Sequence, residues 1–266
     1  MAAELLQLGT WYGDYGTVLA RGILVSGRVA GLFLTAPVLS SRLMPMRVKS
    51  LFVVVLSSFY ALILADRITV PDSPIVMAGW FCLELATGAA LGLLAQLLVG
   101  AVQVAFQVVD IQTGFGAAGT LDPSMGGQGS VLAQASTIFA LLALLAVNGH
   151  HQLLTGLGQT FLVAPPGLLV PGWQAWEAMQ QSSSAMFVAA LKMGAPLVAM
   201  LLTADLCFGL LARTVPQMNV FITAFPVKIG LTLVALTLAS PELVRLLEVH
   251  FNEITTDWLR LIAALR

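Results

Sequence analysis

IVMAGWFCLELATGAALGLLAQLLVGAVQVAFQVV, residues 75–109, runs directly into DIQTGFGAAGTLDPSMGGQGS, residues 110–130, and a second apolar run opens at Val131. About 20 apolar residues suffice for a helix to cross the bilayer core, so the first stretch is either one tilted helix or a broken pair. Peptide groups have no water to bond at membrane depth. A polar, glycine-rich interruption is therefore tolerated there only where protein buries it or where it borders a water-filled path. The stretch Asp110 to Ser130 points to a conduit or gate.

The rest of the chain has the same character. Hydrophobic residues make up 58% and charged residues 9% of the 266 positions, against about 25% charged in soluble domains. This composition is that of an integral membrane protein. A closed barrel would alternate apolar and polar residues in segments of about ten; the long unbroken runs favour helices, and the expected fold class is all-α. A formal net charge of -1 leaves no basic stripe for nucleic acid and no polybasic cluster for lipid headgroups. Cys82 and Cys207 have no CxxC spacing and are expected to be buried, inert thiols. Glu4 and Asp14 precede the first basic residue, Arg21, so the first apolar run is expected to be retained rather than cleaved as a signal.

Run length places apolar helical segments at 17–38, 48–65, 75–109, 131–147, 185–211 and 217–239. Arg21, Arg28, Glu84, Lys192 and Asp205 fall within or at the edges of these runs. A charge at a helix centre costs at least about 2.5–3.5 kcal/mol on insertion scales, so these side chains should face protein or water. Six helices bathed in lipid would not carry so many, and part of the hydrophobic surface is expected to serve subunit contacts. Ala86, Gly88, Ala90, Gly92 and Ala95 allow close helix approach, either between subunits or within the chain. Gln96, Gln103 and Gln107 share one helical face leading down to Asp110 and Gln112, a polar stripe better suited to an interface or a wet surface than to lipid. Arg42, Arg47 and Lys49 make the first connection the better candidate for the cytoplasmic side.

Ser240-Pro241-Glu242 has the form of a helix start, with a Ser N-cap, Pro at the first position and an acid in the first turn. The amphipathic helix predicted over 241–266 carries Leu243, Leu246, Leu247, Phe251, Ile254, Trp258, Leu261 and Ile262 on one face. It would lie at the membrane surface or dock to another subunit.

Enzyme-like patterns fail in their context. Gly114-Phe115-Gly116-Ala117-Ala118-Gly119 matches GxGxxG, but an apolar helix precedes it and Asp122-Pro123 breaks the segment after it, whereas a dinucleotide fingerprint needs a strand, a helix and a later acid. His150 and His151 are adjacent and point to different sides of a helix, with no converging ligand set; hydrogen-bonded interface histidines are the expected reading. Asp110 and Asp122 are candidate proton carriers. Asp122-Pro123 is also a turn former, and Asp110 either ends the preceding helix or pairs with a basic neighbour. No nucleophilic triad is discernible, and neither enzymatic activity nor a cofactor is expected.

QTGFGAAGTLDPSMGGQ at 112–128, VNGHHQLL at 147–154, ARTVPQMNVFITAFPVKI at 212–229 and GLFLTAPVLSSRLMPMRVK at 31–49 together resemble the FliR family, the export-gate subunit of the bacterial flagellar type III secretion system. The virulence-system counterpart, the SctT family, is related, but the Gly-Phe-Gly and Asn-Gly-His-His forms look flagellar. The resemblance spans nearly the whole chain.

It implies a single export-gate domain over 1–266, whose helical hairpins pack into a superhelical assembly in the inner membrane, at the flagellar basal body. One copy would join FliP-type and FliQ-type subunits, with an FlhB-type subunit at the base, in a hetero-oligomer that passes unfolded flagellar substrates. In that family the central loop plugs the pore, which carries over to Gly114, Phe115, Gly116, Ala117, Ala118 and Gly119, with Asp110, Gln112, Asp122 and Pro123 shaping the loop or serving an interface. Glycines permit the close backbone contacts of a compact plug, and Phe115 supplies one bulky stopper. A loop that merely connects two hairpins is the alternative. Asn148, His150, His151, Arg213, Pro216, Gln217, Asn219 and Pro226 are assigned to assembly; the X-Pro pairs at Pro216 and Pro226 are expected to interrupt the helix and bend a hairpin. Two other classes compete: a proton-coupled transporter, for which no internal repeat is visible, and a purely structural scaffold for the basal body.

Overall fold

The computed structural model of the chain describes residues 2–41, 44–71, 73–114, 131–170, 172–215, 217 and 219–265, with side chains of these except at 2–15, 131 and 220–222. The described residues form α-helices and no strand: α1 Ala2–Thr35, α2 Met46–Ile63, α3 Pro74–Thr113, α4 Val131–Ala146, α5 Gly149–Val163, α6 Trp173–Thr214 and α7 Val220–Ala264. Among them, 5 helices are long and apolar enough to cross a membrane, or up to 6 if α4 and α5 together make one broken span. The chain is an all-α integral membrane protein.

Several elements differ from the run-length expectation. Helix α3 continues through Asp110 to Thr113, so Asp110 does not end it. Helix α5 lies outside the expected segments, because His150, His151, Gln152, Gln159 and Thr160 break its hydrophobicity within only 15 residues. Helix α6 starts at Trp173, where a polar first stretch escapes a test for apolar runs.

Helix α7 passes without a break through Pro226 and Pro241, so Ser240 is not an N-cap and Pro226 does not end a helix. Proline removes the amide that would bond the carbonyl four residues back, and membrane helices tolerate this where another donor is at hand. For Pro241 that carbonyl belongs to Thr237, and the Ser240 hydroxyl donates to it at 2.9 Å. Cys82 and Cys207 are exposed on the chain rather than buried. An apolar membrane helix presents apolar side chains outward as well as inward, so the burial habit of cysteine in soluble cores does not carry over.

The helices divide into two compact units, Met1–Gln96 with His150–Ser182 and Glu253–Arg266, and Leu97–Gly149 with Ser183–Asn252. In the first, α1 lies against the first half of α3 along a seam of glycines. A Cβ on Gly31 would stand under 3.0 Å from the backbones of Leu85, Ala89 and Gly88, and one on Gly88 would meet the backbone of Arg28. Gly92 faces Thr35 and Ala36 in the same way. The paired residue numbers rise together, so the two helices run parallel here, and Gly88 and Gly92 serve packing within the chain. The Thr35 hydroxyl closes the seam by donating to the Ala89 carbonyl at 2.9 Å.

A buried charge cluster sits beside this seam. Arg28 Nε donates to Glu84 Oε2 at 2.7 Å, its Nη1 to Thr160 Oγ1 at 3.3 Å and its Nη2 to the Ala164 carbonyl at 3.1 Å. The guanidinium lies 4.6 Å from the Phe161 ring centre. Glu84 Oε1 accepts the Gly167 amide at 3.3 Å. The expectation that charges inside the apolar runs find protein partners holds for this pair. The end of α7 also packs into this unit: Trp258 is fully buried, and a Cβ on Gly156 would lie 3.1 Å from its ring. The stripe predicted at the C-terminus is thus spent inside the chain, with Leu243, Leu247, Phe251, Ile254, Trp258, Leu261 and Ile262 all buried.

The second unit joins the rest of α3 to α4, α6 and α7. Gln103 of the predicted polar stripe donates to Thr137 of α4 at 3.0 Å. Phe106 and Phe139 pack beside it, their ring centres 5.6 Å apart. Gly194 of α6 lets that helix rest on Ala105, where a Cβ would stand 3.5 Å from the Ala105 backbone. The Thr113 and Thr232 hydroxyls meet at 3.0 Å and tie the last turn of α3 to α7.

Candidate functional site

The end of α3 is the point from which the glycine-rich stretch departs, and two other helices of the second unit, α6 and α7, fix it. Gly114 adopts φ +88°, and its amide donates to the Asp110 carbonyl at 2.9 Å. A left-handed glycine of this kind ends a helix while satisfying one of its orphan carbonyls. The Phe225 ring of α7 covers Gly114 so closely that an added Cβ would overlap it.

In the turn before it, Gln112 is held at both its ends by α6 and α7. Its side-chain amide donates to Asp205 Oδ2 at 3.1 Å, and its backbone carbonyl accepts from Lys228 Nζ at 3.1 Å. Lys228 and Asp205 form an ion pair, with the lysine side chain 14% and the aspartate 38% exposed. The last carbonyls of a helix carry partial negative charge, so an ammonium placed there stabilises the terminus. Ile111, Phe208, Gly209, Ala212, Ala224 and Phe225 line a cavity of about 500 Å³ together with these groups. Thr113 and Gly114 complete the wall, whose polar side chains are those of Thr113 and of one closed triangle, Gln112, Asp205 and Lys228.

Of the residues assigned to plug and loop, Asp110, Gln112 and Gly114 fall in this region. Asp110 is buried within α3, and the structure gives it a partner. Phe115, Gly116, Ala117, Ala118, Gly119, Asp122 and Pro123 lie outside the described residues. The assembly residues are dispersed. Asn148, with φ 54°, makes the break between α4 and α5. His150 and His151 follow it with ring centres 4.4 Å apart. The His150 Nδ1 is buried without a hydrogen-bond partner among the described residues. Arg213, Gln217, Asn219 and Pro226 are exposed on the chain, and Pro216 lies outside the described residues.

Sequence reasoning does not single out Lys228 as a site residue, although its signal is present: a lone cation in one apolar run and a lone anion, Asp205, in another, each costly without the other.

Residues 19–254 match the family described as bacterial export proteins, family 1. The chain is 34% identical over 220 residues to the flagellar biosynthetic protein FliR of Bacillus subtilis (strain 168), covering 80% of this chain and 83% of that protein. It is 32% identical over 230 residues to the flagellar biosynthetic protein FliR of Escherichia coli (strain K12), covering 85% and 87%. The protein of the same name from Caulobacter vibrioides is 24% identical over 224 residues, covering 83% of this chain and 89% of its own.

Proposed function

Because the chain belongs to the FliR family of bacterial export proteins and is a membrane subunit of the flagellar export apparatus, we propose that it builds and seals the channel through which unfolded flagellar axial proteins cross the inner membrane. It acts without enzymatic chemistry, as a single export-gate domain over 1–266 in one copy. FliP-type and FliQ-type subunits complete the gate, and an FlhB-type subunit lies at its base. Residues Gly114 to Gly119 close the pore, and an arriving substrate displaces them. Asn148, His150, His151, Arg213, Pro216, Gln217, Asn219 and Pro226 serve assembly.

The observation that supports this reading is the anchoring of Gly114. A steric plug needs a fixed root and a yielding tip. The root is the left-handed Gly114 under Phe225, with Lys228, Asp205 and Gln112 gripping the preceding turn. The tip is rich in Gly and Ala and offers little side-chain surface to hold it shut.

The test has two steps. Co-purification of the tagged chain from membranes, with its neighbours identified by mass spectrometry, is expected to recover FliP-type and FliQ-type subunits. Deleting 114–119 should then leave the complex assembled while raising ion leakage and slowing growth. Normal conductance in an assembled deletion complex would count against the plug and favour a scaffold. Recovery of the chain alone would move the reading to a transporter.

A further inference from the structure

Between Ser184 and Thr203 of α6 the only polar side chain is that of Lys192, and it is exposed on the chain. The buried face of this part of the helix is made by Met186, Ala189, Ala190, Met193 and Leu197. The outward face, around Lys192, consists of Phe187, Val188, Leu191, Ala195, Pro196 and Ala199. Arg28 pairs with Glu84 and Lys228 with Asp205; Lys192 has no ion-pair or side-chain hydrogen-bond partner among the described residues.

The backbone repeats the side chain's situation at the same residue. Pro196 lies inside α6 and has no amide hydrogen, so the carbonyl of Lys192, four residues back, loses its intrahelical donor. At Pro241 the Ser240 hydroxyl makes good the equivalent loss. No side-chain donor stands on the Lys192 carbonyl among the described residues. One outward point of α6 thus offers both an ammonium and a carbonyl deprived of its usual amide donor, set in apolar surface.

Neither lipid nor water suits such a point. In lipid a lysine at depth costs at least about 2.5–3.5 kcal/mol unless it can snorkel. Ser184, the nearest polar residue toward the N-terminus, lies about 12 Å away at 1.5 Å rise per residue, beyond the length of a lysine stem. A wet path, for its part, would be lined by more than one polar group. We infer that this face of α6 docks a membrane helix of another subunit, one that brings a carboxylate to the Lys192 ammonium and packs apolar side chains against Phe187, Leu191 and Ala195. A hydroxyl or amide close to that carboxylate would satisfy the freed carbonyl. The inference rests on the proposed assembly with other gate subunits.

The experiment uses the tagged full chain expressed with its native complex. With p-benzoylphenylalanine in place of Leu191 and Lys192 intact, illumination should cross-link the chain to a co-purifying subunit, at a helix position within one turn of an Asp or Glu. Lys192→Glu should reduce recovery of that subunit by at least about tenfold, since breaking a buried pair costs more than the 1.4 kcal/mol of one decade, whereas Lys192→Arg should retain it. Cross-linking only to lipid overturns the inference, and so does labelling of Leu191→Cys by a membrane-impermeant thiol reagent in the assembled complex. A Lys192→Glu chain that recovers its partners at the wild-type level does the same. If the wild-type chain is recovered alone, the assembly reading fails as well; if it brings partners but Leu191 cross-links to none of them, only the contact fails.

Discussion

Arg28 and Glu84, from α1 and α3, form an ion pair of 2.7 Å whose side chains are 0% and 1% exposed. Among the described residues, every other hydrogen-bonding contact of the pair comes from the same unit: Thr160, the Ala164 carbonyl and the Gly167 amide. The pair therefore joins three chain segments that are far apart in sequence. Removing one partner leaves the other buried and uncompensated.

Glu84→Leu is accordingly expected to destabilise the chain by about 3–5 kcal/mol, the usual cost of breaking a buried pair from one side. Arg28→Met combined with Glu84→Leu should recover part of that loss, since two apolar groups leave no stranded charge. Membrane accumulation and thermal melting in detergent would measure both. A single variant as stable as the wild type would show that the pair does not hold the unit.

The seam between α1 and α3 makes an opposite pair of predictions for one substitution. Gly31→Ala places a Cβ against the backbone of α3, which must move; the expected cost is about 1–3 kcal/mol, as for other overpacked sites. Gly22→Ala, with nothing within 4 Å of its added Cβ, should be neutral or stabilising by up to about 1 kcal/mol through helix propensity. Melting of the two variants side by side separates packing from propensity.

The membrane class and the need to pair Arg28, Glu84 and Asp205 are legible in the sequence, because insertion costs act on single residues. Who pairs with whom is not: the partners lie on different helices, and no local period links Arg28 to Glu84 or Asp205 to Lys228. Ser240-Pro241-Glu242 misleads for a physical reason. The same serine that caps a soluble helix can, in a membrane helix, repair the bond that proline removes. Helix α5 stays hidden because polar residues interrupt its short apolar run, and one of them, Thr160, is buried against Arg28.

The grip on the end of α3 yields a third prediction. Lys228→Met removes the donor to the Gln112 carbonyl and the counter-ion of Asp205 together. Hydrogen bonds to charged groups contribute about 1.5–3 kcal/mol, and Asp205 is partly exposed, so the lower end of that range is expected. Loosening the root should raise ion leakage while leaving complex assembly intact. Lys228→Met combined with Asp205→Leu should melt closer to the wild type than Lys228→Met alone, but should still leak, because Gln112 remains untied. Leakage at the wild-type level in the assembled Lys228→Met complex would separate this contact from closure.

Gly114 gives the sharpest test, because two independent constraints meet there. Its φ of +88° strains any L side chain, by about 1–3 kcal/mol for a residue held in a sparsely populated region. The Phe225 ring in addition occupies the space of a Cβ. Gly114→Ala should therefore lower the melting temperature and raise leakage. Combining it with Phe225→Ala removes the overlap but not the backbone strain, so the double variant should leak no less than Phe225→Ala alone. If instead Gly114→Ala melts and conducts like the wild type, the chain leaves α3 by another conformation, and Gly114 is not the root of a plug.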